Sequence, residues 1–244
     1  MTKLNWKYAM YRMIWSTLDV VFPPVCGGCG KQATPWCKDC AEKVNVLSGS
    51  LCDVCGLPQE VAGICASCQA DRPHFHALRA WAVFEDPVRN ALHRLKYRRD
   101  ISIGNTLASQ MLPFVSRLSW PIDMIVPVPL GKQRLRERGY NQVGMIARPL
   151  AMALNVQYAA NGLMRRKETR SQVGLSRGER RENVQDAFTA WAGVRGKNVV
   201  IMDDVATTGS TLSSGADALC KAGAKDVYAL TVARALPHHG LHHA

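Results

Sequence analysis

The segment that decides the fold is residues 199–211, which read VVIMDDVATTGST. The apolar start of this segment predicts a buried strand, and two adjacent acids, Asp203 and Asp204, follow it directly. A loop of small and hydroxyl-bearing residues comes next, and helical spacing begins at Thr211. A strand, a loop and a helix in this order are typical of a parallel α/β sheet, whose ligands bind at the carboxyl ends of its strands.

The loop after the two acids is suited to a phosphate group. Backbone amides, hydroxyls and the positive end of the following helix together form a phosphate cradle. The two carboxylates would repel a phosphate, so they require another part of the same ligand, and ribose hydroxyls can donate hydrogen bonds to both. The segment therefore predicts a site for a ribose 5-phosphate. It is not a P-loop, because it lacks the pattern G-x-x-x-x-G-K.

Strands and helices alternate on both sides of this segment. Apolar runs predict strands at residues 78–84, 122–128, 199–202 and 227–232. Helical spacing of apolar residues predicts helices at 87–97, 103–118, 143–154 and 211–221. This alternation predicts a parallel, doubly wound sheet flanked by helices, occupying residues 72–236.

The first part of the chain has a different composition, which is rich in cysteine. Four Cys-x-x-Cys pairs are present: Cys26 and Cys29, Cys37 and Cys40, Cys52 and Cys55, and Cys65 and Cys68. The second unit begins 26 residues after the first, and a glycine follows the first pair of each unit, at Gly30 and Gly56. Such knuckles point two sulfurs at one centre, so two of them form one tetrahedral zinc site.

These pairs predict two structural zinc ions in a module at residues 25–71. We expect the ligands to pair within each repeat, although spacing alone leaves crossed pairing open. A disulfide framework is the alternative, and it is disfavoured because the sequence shows no export signal. The ninth cysteine, Cys220, stands alone in a predicted helix, and we expect it to be a small buried residue.

With these features in place, the chain resembles the ComF competence-protein family, which joins a double zinc ribbon to a type I phosphoribosyltransferase domain. The resemblance rests on five stretches: residues 19–29 (DVVFPPVCGGC), 83–97, 126–142 (VPVPLGKQRLRERGYNQ), 165–188 and the acidic segment 199–211. Ala206 departs from the family pattern, which usually has a larger aliphatic residue there.

The resemblance implies a role for each part of the site. Asp203 and Asp204 would hold the ribose hydroxyls of phosphoribosyl pyrophosphate. The 5-phosphate loop would consist of Ala206, Thr207, Thr208, Gly209, Ser210 and Thr211. The pyrophosphate loop would consist of Pro129, Leu130, Gly131 and Lys132. Magnesium would bridge oxygens of the pyrophosphate and the ribose.

Basic residues cluster near both of these loops. The rim that we expect to neutralise pyrophosphate comprises Arg134, Arg136, Arg138, Arg165, Arg166, Lys167 and Arg170. A mobile polar lid over residues 165–181 would fit this role. A solvated surface charge is the plain alternative for any single arginine, so the prediction rests on the cluster.

Two functions remain open from the sequence. In the first, a ring nitrogen displaces pyrophosphate from the ribose, as in nucleotide salvage. In the second, which the resemblance favours, the protein binds the sugar diphosphate and handles imported single-stranded DNA. A basic groove with aromatic residues such as Tyr97 and Tyr140 can track a single strand. Zinc ribbons are also docking modules, so proteins of the DNA-uptake machinery are expected partners.

Composition limits the classes of protein that the chain can belong to. The 244 residues carry 31 basic and 19 acidic side chains, a formal charge of +12, and 47% are hydrophobic. This apolar content excludes a wholly disordered chain. The longest charge-free runs have 16 residues, whereas a membrane-spanning helix needs about 20 mostly apolar ones. The basic surplus suits phosphate or nucleic acid as a ligand.

The ends of the chain are predicted separately. Residues 1–24 read as an amphipathic helix packed on the protein itself, with contact to a membrane surface through residues 1–22 as the alternative. Charges at Arg12 and Asp19 interrupt any signal-like stretch, so we expect a cytoplasmic protein. Residues 237–244 contain four histidines and read as a frayed tail.

Overall fold

The computed structural model describes residues 6, 8–11, 13, 23–166 and 187–236, and it confirms the predicted α/β architecture. The strands are β1 (Leu78–Val83), β2 (Met124–Pro127), β3 (Gln157–Tyr158), β4 (Leu163–Arg165), β5 (Phe188–Ala190), β6 (Asn198–Ala206) and β7 (Asp226–Arg234). Five of them form one sheet in the order β1-β7-β6-β2-β3, and every neighbouring pair in it is parallel. Strands β4 and β5 form a separate antiparallel pair.

The helices of the described residues surround this sheet. They are α1 (Lys38–Glu42), α2 (Ala66–Ala70), α3 (Val88–Tyr97), α4 (Ser102–Arg117), α5 (Lys132–Arg138), α6 (Gln142–Leu154) and α7 (Ser210–Lys221), with a 3-10 turn at Ala192–Val194. The four predicted helices are confirmed, with bounds that differ by at most one residue. Sequence analysis missed α5 because its residues are almost all polar and show no apolar face.

Strand β6 is longer than the sequence predicted. It runs on through both acids to Ala206, pairing with β7 as far as Arg234. The prediction stopped at residue 202 because charged residues usually end a buried strand. The two acids therefore lie inside the hydrogen-bonded sheet edge, where the strand fixes their backbone, and not in the loop that follows.

Alternation along β6 divides the core between the two faces of the sheet. Val200 and Met202 point to the face that is covered by α3, α4 and α6. Val199 and Ile201 point to the opposite face, which is covered by α7 and by the β4–β5 pair. Both sets of strand residues are fully buried, so β6 is the central element of the fold.

Each cysteine repeat packs on a different face of this sheet. Cys26, Trp36 and Cys40 of the first repeat join the core cluster that contains Trp81 and Val88. Cys52, Val54 and Cys55 of the second repeat join the cluster on the other face. Two backbone hydrogen bonds also link the cysteine module to β1, from Leu78 N–H to Val54 C=O at 2.7 Å and from Val83 N–H to Asn45 C=O at 2.8 Å. The module therefore contributes to the protein core.

The described residues near the start of the chain have helical backbone geometry, as predicted. Trp6, Met10 and Met13 are exposed there, by 63%, 53% and 72%. Met10 and Met13 belong to the predicted apolar face, so the expected burial of that face is not seen at these two positions. The hydroxyl of Tyr11 donates a hydrogen bond to Asn105 of α4. The predicted tail at 237–244 lies outside the described residues.

Within the described ranges, no helix combines the length and the apolar character that a bilayer crossing demands.

The prediction that Cys220 is buried is wrong. It is the second-to-last residue of α7 and is exposed, next to the buried Leu219. One residue along a helix turns the side chain by about 100°, which carries Cys220 off the core-facing side. Its sulfur lies 3.8 Å from the carbonyl oxygen of His74.

Two equivalent glycines give a test of how the second repeat packs. Gly30 and Gly56 both follow a Cys-x-x-Cys pair, with φ values of +80° and +66°. A Cβ on Gly30 would meet nothing within 4 Å, whereas a Cβ on Gly56 would collide with the carbonyl oxygen of Leu78 in β1. We expect Gly30→Ala to cost about 1–2 kcal/mol for the left-handed backbone alone. Gly56→Ala should cost an additional 1–3 kcal/mol, roughly, from overpacking.

Urea unfolding of the zinc-loaded protein measures this difference. Equal losses in the two variants would contradict the described contact between the second repeat and β1.

Candidate functional site

The two acids of β6 face opposite sides of the sheet edge. Asp204 has the same parity as Val200 and Met202, so it points toward α3 and α6, while Asp203 points the other way. Asp204 is buried, with 6% of its surface exposed, and Asp203 is half-buried. Adjacent carboxylates with different neighbours have different pKa values.

Asp204 is held by groups from three elements. Its Oδ2 atom lies 2.6 Å from Nζ of Lys96 in α3 and accepts a hydrogen bond from Nε2 of Gln142 in α6 at 3.0 Å. Its Oδ1 atom accepts from the backbone N–H of Val205 at 2.8 Å. Burial opposes ionisation, but Lys96 and these donors outweigh it and hold the pKa of Asp204 below its usual range. Asp204 is therefore charged at neutral pH.

Asp203, in contrast, tends to stay protonated. Its Oδ1 atom accepts a hydrogen bond from the backbone N–H of Asp204 at 2.8 Å. In the described part of the chain, no basic side chain lies within ion-pair distance of it. Burial, followed by the negative charge of Asp204, raises the pKa of Asp203 to about 8. The pair thus combines one fixed charge with one acid that ionises when a cation or a ligand approaches.

Sequence analysis did not single out Lys96 or Gln142. Both lie in stretches that carry the family resemblance, at 83–97 and 126–142. A signal was available for Lys96, because it continues the four-residue spacing of Val88 and Leu92, whose side chains face the core. A lysine on the buried side of an amphipathic helix needs a buried partner.

The residues predicted to bind a 5-phosphate form the connection between β6 and α7. Ala206 ends β6, and Gly209 adopts φ +81° immediately before Ser210 begins the helix. The hydroxyls of Thr208 and Ser210 lie 2.7 Å apart, and the backbone N–H of Ser210 points to Oγ1 of Thr208. The loop therefore gathers hydroxyl groups at the amino end of a 12-residue helix. Whether it binds phosphate stays a prediction.

The residues predicted to bind pyrophosphate leave the neighbouring strand. Val128 N–H bonds to Met202 C=O at 2.8 Å, so the loop starts beside β6, one residue before Asp203. Asn141 stabilises the start of this loop, because its Nδ2 atom donates a hydrogen bond to Val128 C=O at 2.9 Å. A cleft of about 390 Å³ adjoins the loop. Its lining includes Pro129, Leu130, Lys132, Arg165 and Arg166. The structure thus brings these predicted residues together, whereas the lining of the cleft includes neither acid of β6 and no residue of the 206–211 loop.

The remaining basic residues of the predicted rim have different surroundings where the structure describes them. Arg134 and Arg136 are exposed on α5. Arg138 donates to Oε1 of Gln142 and lies over the ring of Tyr97, 5.6 Å from its centroid. Lys167 and Arg170 lie outside the described residues, as do most residues of the predicted lid.

The two cysteine sets fit zinc. In each set, Cys26 to Cys40 and Cys52 to Cys68, the four sulfurs lie within 4.8 Å of one another. The predicted pairing within each repeat is therefore confirmed. Tetrahedral zinc with bonds of about 2.3 Å requires sulfurs about 3.8 Å apart. The distances from Cys29 to Cys37 and from Cys55 to Cys65 are 3.6 and 3.7 Å. Four thiolates leave no open coordination position, so both centres are structural.

The surroundings of one sulfur in each set favour a thiolate, whereas burial raises the pKa of Cys40, Cys55 and Cys68. Burial opposes ionisation of Cys26, but backbone N–H groups at Cys37, Cys29 and Gly28 lower its pKa to about 6. Similar donors lower the pKa of Cys52 to about 6 against the same opposing burial.

The last residue of β7, Arg234, is 1% exposed. Among the described residues its Nε and Nη1 atoms have no hydrogen-bond partner. Burial lowers its pKa, and the cysteines of the second set oppose that effect. A zinc centre with four thiolates would carry a charge of about −2 and would stabilise this guanidinium.

The fold and its sites define a phosphoribosyltransferase-type α/β protein with a double zinc ribbon. The Double zinc ribbon domain family matches residues 17–69, and the Phosphoribosyl transferase domain family matches residues 145–240. The solved structure of the allosteric regulatory enzyme of purine biosynthesis is 24% identical, with a TM-score of 0.36, and the match covers 53% of this chain and 25% of that one.

The chain belongs to the ComF family. It is 34% identical to the DNA utilization protein YhgH of Escherichia coli K12 over 194 residues, which cover 77% of this chain and 85% of that protein. Competence protein F of Haemophilus influenzae is 29% identical over 222 residues, covering 86% and 90% of the two chains. Competence protein ComFC of Bacillus subtilis is 29% identical over 208 residues, covering 81% and 83%.

The cysteine geometry gives a direct prediction for metal content. The purified protein should contain two zinc ions per chain, and Cys55→Ser should lower the stability of the second centre because it removes one of four ligands. We expect a zinc content near one in that variant after mild chelation. Cys220→Ser is the matched control and should retain two, since Cys220 is outside both sets. Elemental analysis that finds almost no zinc, with oxidised cysteines, would contradict both centres.

Proposed function

We propose that this chain binds phosphoribosyl pyrophosphate with Mg²⁺ and acts in the handling of single-stranded DNA. The observation that carries the proposal is the pair Asp203 and Asp204 at the carboxyl edge of a parallel sheet, followed directly by a hydroxyl-rich loop at a helix start. Carboxylates suit ribose hydroxyls, and the loop suits the 5-phosphate.

The neighbouring elements suit the remainder of this ligand. The loop at 129–132 lies beside β6 and adjoins the cleft lined by Lys132, Arg165 and Arg166. These cations would neutralise the diphosphate. Asp203 fits a ribose hydroxyl, because it is half-buried and has no cationic side chain at ion-pair distance in the described part of the chain. When bound, Mg²⁺ would offset charge on the diphosphate oxygens.

The family supports a role with DNA. Relatives that cover most of this chain are named DNA utilization protein and Competence protein. The surface near the site agrees in charge, since Arg98, Arg99, Arg134 and Arg136 are all exposed. Tyr97, which precedes Arg98 in the chain, is 68% exposed. Tyr140 is less suited to stacking on a base, because it is half-buried and its hydroxyl donates to Leu95 C=O. We place the protein in the cytoplasm, with the zinc ribbons as docking modules for uptake proteins.

The cleft favours phosphoribosyl transfer as a second candidate. Its volume of about 390 Å³ beside the predicted pyrophosphate loop would accommodate a ring acceptor. In such a reaction the acceptor nitrogen bonds to the anomeric carbon and loses a proton, while pyrophosphate leaves with the bonding electrons. Arginines near the diphosphate would stabilise its growing charge. Release of pyrophosphate with any member of a panel of bases would establish this activity.

Calorimetry with phosphoribosyl pyrophosphate and Mg²⁺ tests the binding site. Asp203→Asn should weaken binding by roughly 10- to 100-fold, the value of a hydrogen bond to a charged group. The affinity of the unchanged protein should rise as pH rises through about 8, because Asp203 must ionise. Asp226→Asn, at the opposite end of the neighbouring β7, is the matched control.

Two results would contradict the proposed site: no heat of binding in the unchanged protein, or equal binding by Asp203→Asn.

Salt-dependent binding of an oligo-dT strand tests the DNA surface. Arg134→Ala/Arg136→Ala should weaken binding and reduce the slope of log K against log salt by about 1.4, the value for two phosphate contacts on a single strand. Arg138 is left in place because it contacts Gln142. Lys197→Ala/Lys225→Ala is the control, since these exposed lysines lie beside the starts of β6 and β7.

If both double variants bind with the same affinity and slope, this surface does not carry the DNA.

A further inference from the structure

Lys96 reaches the acid pair from a helix that lies outside the acidic segment. Its Nζ atom lies 2.6 Å from Oδ2 of Asp204, and its side chain is 22% exposed. The neighbouring turn of α3 is attached to the first zinc ribbon, because Arg94 donates to Cys26 C=O at 2.5 Å and also pairs with Asp100. The lysine therefore approaches from a fixed helix, and its ion pair with Asp204 is largely shielded from water.

The two acids have unequal surroundings in the protein. Both oxygens of Asp204 have protein partners, namely Lys96 and Gln142 on one and the Val205 N–H on the other. Asp203 accepts a backbone N–H bond and has no cation at ion-pair distance among the described residues. A carboxylate can accept about four hydrogen bonds, so Asp204 can still accept one from a ligand while it is paired with Lys96.

We propose that Lys96 is a positioning residue of this site, which holds Asp204 charged and in one orientation beside Asp203. The inference rests on the proposed function for the identity of that ligand. It adds Lys96 to the two acids to which the family resemblance gave a role. Lys96 acts through Asp204 and contacts no ligand group itself.

Carbon-13 NMR of the aspartate carboxyls tests this role without any ligand. In Lys96→Met the titration midpoint of Asp204 should rise by at least about one pH unit, since an adjacent cation commonly lowers a carboxyl midpoint by that much. Lys96→Arg should restore a midpoint near that of the unchanged protein. The groups facing Asp204 are otherwise the neutral Gln142, with Arg138 behind it, and Asp203 on the same strand. An unchanged Asp204 midpoint in Lys96→Met would overturn the inference.

Calorimetry with phosphoribosyl pyrophosphate and Mg²⁺ at neutral pH gives the second readout. Lys96→Met should weaken binding at least about tenfold, as expected when a neighbouring carboxylate loses its cation and part of its charge. Lys197→Met, which removes one exposed positive charge beside the start of β6, is the control. Tighter binding by Lys96→Met would show that the lysine blocks the site, and unchanged binding would show that it is dispensable. Either result overturns the inference.

A double variant distinguishes the proposed role of Lys96 from a folding defect. Lys96→Met/Asp204→Asn removes both charges and leaves no lone buried carboxylate. Because Lys96 acts through Asp204, the loss of affinity in the double variant should be smaller than the product of the two single losses. Multiplicative losses would overturn the inference. If the unchanged protein binds no sugar diphosphate, the proposed function fails, and the NMR titration still decides the role of Lys96.

Discussion

The structure depends on placing two adjacent carboxylates at the edge of a buried sheet. Side by side and largely removed from water, Asp203 and Asp204 cannot both ionise without a compensating charge. Lys96 supplies that charge to Asp204, and burial together with its charged neighbour raises the pKa of Asp203 to about 8. The position of α3 is therefore tied to the state of the acid pair, and whatever holds α3 contributes to the site.

The first zinc ribbon is part of what holds α3. Arg94 bonds to the carbonyl of Cys26. Gly28 lies so close to Pro87, just before α3, that an added Cβ would be 2.5 Å from the proline ring. The second ribbon packs on the other face, where Gly56 touches Leu78 of β1. The sequence boundary predicted between residues 71 and 72 is thus crossed by the packing on both faces. Metal loss is expected to disturb the sheet itself and not only the ribbons.

Much of the architecture could be predicted because it follows from local patterns. Alternating apolar runs and helical spacing located the main strands and helices, and the Cys-x-x-Cys spacing located both zinc centres. Sequence analysis did not predict elements with little apolar content, such as the polar α5 and the two-residue β3. Sequence analysis also did not predict that β6 extends through the two acids, because this extension is stabilised by pairing with β7 and not by its own composition.

The partners of the acids could not be derived from the acidic segment. Lys96 and Gln142 are 108 and 62 residues from Asp204 in the chain, and only the sheet order brings their helices to one edge. The prediction that Cys220 is buried was wrong for the opposite reason. Cysteine generally prefers the core, but the position of Cys220 on the helix circumference overrides that preference. Composition predicts which residue types pack, whereas tertiary placement decides which individual side chains do.

A crystal structure with phosphoribosyl pyrophosphate and Mg²⁺ would test the central claim most directly. We expect the 5-phosphate at the amides and hydroxyls of residues 207–211, the ribose at Asp203 and Asp204, and Lys96 still paired with Asp204. Density for the ligand at another surface of the protein, or Lys96 displaced from Asp204 in the complex, would contradict this account.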